Sequence, residues 1–381
     1  KLMRFKDDIE ALLSQLSAKE RSQIEKMLSS KRAYQLNHAQ NSICELMKNY
    51  KVDEIKALCK SHGIKGYSNL NKDTLLIHFI TNLVTEDYLD EMVATFNKAQ
   101  KLAFVIASQF SAWQAPLPTR LHFENNFVLF HFSGEDGYYL TWIPDEVSNI
   151  VEKYIDSHTE LKQLKLAYAL LEAASNLYGL YSFTQLQRVY EVYLNKSYSL
   201  LDIQKWLKQI ELVNPEMTNF RVFNGLIASK GLEFEEDEYH YFVKDAKYYM
   251  PDTTQEILSY QELIYGIDDE AEIKFMNWLE QNILKDNHFE AEVTSLSSEI
   301  LTMMKHAMTY DMVQDVLQSL VQDGILRKRV EFTAENVVKP IYMKMRNWIY
   351  HGYTFEEYMD LMDKDEHEQR NNVIDLKQYR K

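Results

Sequence analysis

Apolar residues recur at helical spacing along most of the chain, and the exceptions are confined to its middle. Ile9, Leu12, Leu13 and Leu16 share one helical face, which predicts a first helix. Ser17, three residues before Glu20, makes a capping box that starts a second helix over 18–29. The pattern over 34–47 is less regular. Thr85 caps a helix expected to run through Tyr88, Met92 and Phe96 to about Phe110. Pro116 and Pro118 place the next stretch outside it. The pattern then changes. Phe127-Val-Leu-Phe-His-Phe132 and Tyr138-Tyr-Leu-Thr-Trp-Ile143 flank a Ser-Gly-Glu-Asp-Gly turn, which predicts a β-hairpin at about 127–143. Pro144 closes it and Asp145 opens a helix.

Residues 158–244 alternate differently. Helices are expected near 161–177, 182–194 and 200–210, and strands near 220–228 and 239–244. That order of elements is the order of a winged helix. From 253 to 365 the pattern is helical almost throughout, including 270–283, 298–308, 311–323 and 335–350; residues 366–381 are polar. The expectation is a mainly α, multi-domain protein with a small β-hairpin and a winged-helix-like α+β unit in its middle. Its expected divisions are 1–49, 50–84, 85–157, 158–250, 251–365 and a tail at 366–381.

Composition narrows the class. Hydrophobic residues are 46 % of 381, enough for several cores. Gly (10) and Pro (6) are too scarce for a turn-rich all-β chain. The longest apolar run, Leu102 to Phe110, is too short to cross a bilayer. Charged residues occupy Lys1–Asp8 where a secretory signal needs an apolar stretch. Two cysteines, Cys44 and Cys59, exclude a disulfide scaffold and suit a reducing compartment. A cytoplasmic protein without membrane contact is therefore expected. Net charge is −15, unevenly placed: residues 1–100 hold 15 Lys and Arg against 13 Asp and Glu, and the remainder 27 against 44. An acidic body repels phosphate, so nucleic-acid contact is expected only in the first hundred residues. The rest suits protein partners.

In residues 50–84, Val52, Ile55, Leu58 and Cys59 line one face of a short helix that His62-Gly63 ends. Ile64, Tyr67 and Leu70 punctuate an extended loop, and Asn71 caps a second helix with Leu75, Leu76, Phe79 and Ile80 as its buried set. The string Val-Asp-Glu-Ile-Lys-Ala-Leu-Cys-Lys-Ser-His-Gly-Ile-Lys-Gly-Tyr-Ser-Asn-Leu-Asn-Lys-Asp-Thr-Leu-Leu resembles the Rho termination factor N-terminal domain and the SAP module of chromatin and repair proteins. The resemblance covers under a tenth of the chain. It implies nucleic-acid contact, DNA or RNA, through Lys65, Gly66, Tyr67, Ser68, Asn71 and Lys72. Lysines at a helix N-terminus are suited to phosphate. Five Lys against three Asp and Glu leave this segment a charge of only +2, so two or three phosphate contacts and salt-sensitive binding are expected. The same helix pair also serves as a protein-binding element.

The winged-helix-like unit offers little to DNA. Its third helix holds only Lys205 and Lys208, and its wing, read as Gly231–Glu238, holds five carboxylates. A structural or protein-facing role is expected. The stretches Ala167–Leu194, with Leu177-Tyr-Gly-Leu-Tyr-Ser-Phe-Thr, and Trp348-Ile-Tyr-His-Gly-Tyr-Thr-Phe-Glu-Glu357 are similar to uncharacterised bacterial proteins that often carry a SEC-C zinc motif. The cysteine-rich motif itself is lacking, so no metal role carries over. His122, Glu124 and His131 are better read as a hairpin surface than as ligands, and Cys59-Lys-Ser-His62 lacks a second ligand pair.

Arg346-Asn347-Trp-Ile-Tyr-His351 matches the Arg, polar, three residues, His pattern of HEPN ribonucleases, placed at the end of an expected helix. The resemblance implies His351 as a base for a ribose hydroxyl and Arg346 as stabiliser of the phosphorane charge. A competing reading has Trp348 packing and Gly352 capping. No phosphate-cradling glycine loop, nucleophile elbow or HExxH motif is present, and no cofactor is expected. Three functions remain: a non-enzymatic nucleic-acid-associated protein, a protein-interaction scaffold, and a HEPN-like ribonuclease.

Overall fold

The computed structural model describes residues 34–36, 42–109, 119–123, 127–134, 139–213, 218–232, 238–261, 269–284, 290–306 and 309–364. The helices expected over 5–16 and 18–29 and the tail at 366–381 lie outside these residues. The protein is mainly α, with two small antiparallel sheets. It divides into two compact units, Lys1–Tyr168 with Gln204–Thr218, and Ala169–Ile203 with Asn219–Lys381.

The first unit opens with β1 (Tyr34–Leu36) and α1 (Ile43–Leu46), within the stretch whose pattern is less regular. Pairing with a later strand captures residues whose helical pattern is weak: Tyr34 lies opposite Leu121. Then come α2 (Val52–Ser61), α3 (Lys72–Leu83), α4 (Glu86–Ala94) and α5 (Lys98–Ala107). The helix expected from Thr85 to Phe110 is thus two. Asn97 breaks it: its side chain accepts from the Gln100 N–H at 2.9 Å, and Gln100 accepts from the Asn97 N–H at 2.9 Å. Strands β2 (Thr119–Phe123), β3 (Phe130–Gly134) and β4 (Tyr139–Trp142) follow. The expected hairpin is present as β3–β4, with Phe132 opposite Leu140, inside a four-stranded sheet ordered β1-β2-β3-β4.

Helix α6 (Asp145–Ser157) returns across the α2–α3 pair. Its Glu146 accepts from the Ser42 hydroxyl at 3.0 Å and from the Ile43 N–H, joining it to the start of α1. Ile55, Cys59, Ile64, Leu75, Leu76, Phe79 and Ile80 are buried in one core with Leu46, Leu89, Phe127, Val151 and Ile155. The core of residues 50–84 is therefore continuous with the unit around it. Phe79 and Phe127 meet edge to face, ring centres 5.1 Å apart.

The winged-helix series is α7 (Thr159–Tyr178), β5 (Leu180–Ser182), α8 (Phe183–Tyr193), α9 (Leu200–Val213), β6 (Phe220–Phe223) and β7 (Leu226–Ser229); the second unit contains β5, α8, β6, β7 and the later part of α7, while most of α9 belongs to the first. The sheet is ordered β5-β7-β6, with Ile227 opposite both Tyr181 and Val222. Two expectations are corrected. The strand expected over 220–228 is a hairpin turning at Asn224-Gly225, both left-handed (φ 46° and 81°) as a two-residue type I′ turn requires. The strand expected over 239–244 is instead a helix, α10 (Tyr239–Val243). Of the acidic Gly231–Glu238 segment read as the wing, residues 233–237 lie outside the described residues.

Helices α11 (Thr254–Ser259), α12 (Asp269–Asn282), α13 (Glu290–Lys305), α14 (Tyr310–Gln322) and α15 (Val330–Lys344) complete the unit, with a 3-10 turn at Trp348–Tyr350 and a helix over 355–364. Phe275, Leu279, Ile300, Met304, Leu317, Val338 and Tyr342 form the core of α12–α15. Helix α15 ends at Lys344, six residues before the expected Tyr350, because Met345 turns extended (ψ 135°) and Asn347 starts a new turn. Among the described residues no helix is long and apolar enough to cross a membrane.

Candidate functional site

The loop between α2 and α3 is built by glycine geometry and two side-chain tethers, and a third bond ties the start of α3 to the residues before α2. Gly63 (φ 70°) ends α2, and the Ile64 N–H returns to the Cys59 carbonyl at 2.9 Å, which turns Ile64 into the core. Gly66 (φ 81°) reverses the chain over the His78 ring. His78 Nε2 bonds the Lys65 carbonyl at 2.7 Å, Lys56 Nζ donates to the Ser68 carbonyl at 3.0 Å, and Lys72 Nζ donates to the Lys48 carbonyl. Asn71 Oδ1 accepts from the Thr74 N–H at 3.0 Å and caps α3.

The six residues singled out in this loop therefore have different environments. Lys65, Gly66 and Ser68 are exposed on one short stretch. Tyr67 is half-buried and packs on the core. Asn71 is exposed but spends its carbonyl oxygen on the cap, and Lys72 is half-buried with its ammonium on a carbonyl. Sequence reasoning passed over Lys56 and His78, which hold the loop. Only their placement one helical turn apart from the loop's ends in space marks them, and no local pattern carries that signal.

Arg346, Asn347 and His351 are brought together, but not on a helix. The Arg346 guanidinium is engaged on every nitrogen. Nε donates to Tyr260 Oη at 2.7 Å, Nη1 to Glu357 at 2.6 Å and to the Gly352 carbonyl at 3.2 Å, and Nη2 to Glu357 at 3.3 Å. It also lies 3.4 Å from the centre of the Tyr249 ring. Burial pushes the Glu357 carboxyl up, but the Arg346 hydrogen bond outweighs it and holds the group below the usual carboxylate range. Asn347 is buried; its Oδ1 accepts from the Ile349 N–H at 2.9 Å and its amide donates to the Met304 carbonyl.

His351 is 7 % exposed and left-handed (φ 53°), with Phe242, Tyr248 and Tyr358 around its ring. Its Nδ1 has no partner, and burial pushes its pKa down to about 4. A base facing aromatic rings, with an arginine that commits every nitrogen to a partner in the same segment, is arranged to anchor the chain.

Trp348 and Gly352 do pack and cap. Trp348 is fully buried, its Nε1 donating to the Asn176 carbonyl at 2.8 Å, and Gly352 (φ 87°) returns its N–H to the Asn347 carbonyl at 3.1 Å. The indole occupies the space a side chain at Gly179 would need: a Cβ there would lie 2.2 Å from Trp348 Cδ2. The Ala167–Leu194 and Trp348–Glu357 stretches, nominated separately, thus meet across this contact.

His122 and His131 are opposite one another on β2 and β3, and Glu124 lies outside the described residues. Among the described residues no three ligating side chains cluster for a metal. No family model matches the chain, and neither does any curated protein or solved structure.

Proposed function

We propose that this is a non-enzymatic nucleic-acid-associated protein. Its SAP- or Rho-N-like segment at residues 50–84 makes weak phosphate-backbone contact, and its acidic remainder serves protein partners. One observation carries the reading. Two side-chain tethers, from Lys56 and His78, hold the α2–α3 loop in one conformation while Lys65, Gly66 and Ser68 stay exposed just before the N-terminus of α3. A pre-ordered loop loses little entropy on binding. Exposed glycine backbone, a hydroxyl and an ammonium are groups that phosphate oxygens accept from. The engagement of Arg346 and the burial of His351 favour this over the ribonuclease reading.

The test is fluorescence anisotropy with labelled single- and double-stranded oligonucleotides of DNA and RNA, over a salt series. Two or three contacts give a slope of log K against log salt of about −2 to −3. Lys65→Glu abolishes binding at the lowest salt while leaving the melting temperature unchanged. Absence of wild-type binding at low salt refutes the reading, and so does binding indifferent to Lys65→Glu; the first result leaves the protein-interaction scaffold.

A further inference from the structure

Three basic side chains meet the 345–353 segment with no acid against them. Lys305, the last residue of α13, is 1 % exposed, and its Nζ reaches the Arg346 carbonyl at 3.3 Å. His306 stacks on Trp348, ring centres 4.1 Å apart and planes 11° apart, and its buried Nε2 has no partner. His351, inside the segment, has an unpartnered buried Nδ1. Arg346 is the charge nearest Lys305, and Lys305 the charge nearest His306. Tyr248 and Tyr358 face His351.

The carboxylates nearby are committed elsewhere. Glu357 serves Arg346 and the Thr354 N–H, and Glu256 serves Tyr249 and the Asp252 N–H. Among the described residues no Asp or Glu is buried. Glu233, Glu235, Glu236 and Asp237 follow the Gly231 backbone that touches His306, and they lie outside the described residues.

We propose that residues 345–353 form a proton-operated latch, in which protonation of His306 and His351 expels Trp348 from its seat at Gly179 and releases the segment. A proton on either sealed nitrogen creates a charged donor with no acceptor, a state that burial penalises heavily. Water reaches those nitrogens only when the His306–Trp348 stack opens and the His351 ring leaves its aromatic niche. The closed backbone has no local preference for staying put, since His351 holds a left-handed conformation that non-glycine residues avoid. Closure rests on the Trp348 seat, the Asn347 cap and the Arg346 bonds to Tyr260 and Glu357.

Burial pushes both imidazoles down to about 4 from the ordinary 6.5. The open form therefore takes up protons below 6.5 and the closed form only near 4. Each histidine shifts the balance toward opening by about tenfold per pH unit between those limits. Lys305, pushed down to about 7, has already taken its proton by then and adds nothing further within this window.

Hydrogen exchange on the full chain, expressed as protection factors corrected for intrinsic rates, reads the latch directly. In the wild type, protection at the His351 and Gly352 amides falls steeply from pH 6.5 to 4.5 while that of α14 does not. His306→Phe keeps the stack and His351→Asn tolerates the left-handed backbone; together they flatten the fall. His351→Asn alone removes about one of the two tenfold steps per pH unit, which keeps the test sound if the double variant does not fold. Parallel loss at 348–353 and in α14, a helix of the same unit, overturns the proposal. An unchanged slope in the variants also overturns it, placing the protons on other groups.

Discussion

Lys305 is a buried lysine without a carboxylate partner among the described residues, and replacing it stabilises the protein. It is 1 % exposed, its ammonium touches one carbonyl, and Arg346 lies beside it. Burial, and secondly Arg346, push its pKa from 10.5 down to about 7. Between those values the unfolded chain binds a proton that the folded chain refuses, so stability rises with pH across this window. It is lowest at and below pH 7. At 1.36 kcal/mol per unit, the penalty at pH 7 is about 4 kcal/mol. Lys305→Met fills similar volume without charge. It forfeits the 3.3 Å contact to the Arg346 carbonyl, which costs about 1–2 kcal/mol. The net gain is about 2–3 kcal/mol at pH 7, or several degrees in melting temperature for a unit of this size. Calorimetry or chemical denaturation at pH 7 and pH 10 measures it. The gain shrinks toward zero or reverses at pH 10, where folded Lys305 is neutral and the remaining penalty against the unfolded chain has fallen to about 1 kcal/mol or less. A variant less stable than wild type at pH 7, or a gain equal at both pH values, refutes the assignment of Lys305 as an uncompensated buried cation.

Gly179→Ala forces a Cβ into the Trp348 indole and a side chain onto φ 69°. It destabilises the second unit by about 3–4 kcal/mol from overpacking and left-handed strain, seen as a lowered denaturation midpoint; a loss under 1 kcal/mol contradicts the seat as described. Asn71→Ala removes the α3 cap and costs about 1 kcal/mol, measured by urea unfolding. Asn71→Asp, which keeps the acceptor, restores most of the loss, and failure of that rescue argues against the capping bond.

The features legible in the chain alone are those whose causes lie within a few residues. Asn71 and Thr85 cap α3 and α4 as expected, accepting from the Thr74 and Tyr88 N–H groups three residues on. The aromatic runs about the glycine turn pair as β3 and β4. Gly63 ends α2 in the left-handed conformation. Each depends on a local bond or a side-chain period. The errors have local causes as well. Asn97 and Gln100 form a capping box that splits an apolar helical run, and Asn224-Gly225 marks a type I′ turn inside an apparently continuous strand.

What lay beyond the chain's local grammar was the fate of Arg346, Trp348 and His351. Their spacing admits a catalytic pair as readily as an anchor. The difference is made by Tyr260, Glu357, Tyr249 and Gly179, of which Gly179, Tyr249 and Tyr260 are far away in sequence, and by burial that strips His351 of water. The Trp348 hydrogen bond spans 172 residues. Periodicity can say that a tryptophan seeks a core; it cannot say that the opposite wall is a glycine. The unpaired Lys305 is of the same kind: α13 ends in a basic residue as helices favour, and only the packing of the Arg346 segment over it turns an ordinary terminal lysine into a buried charge.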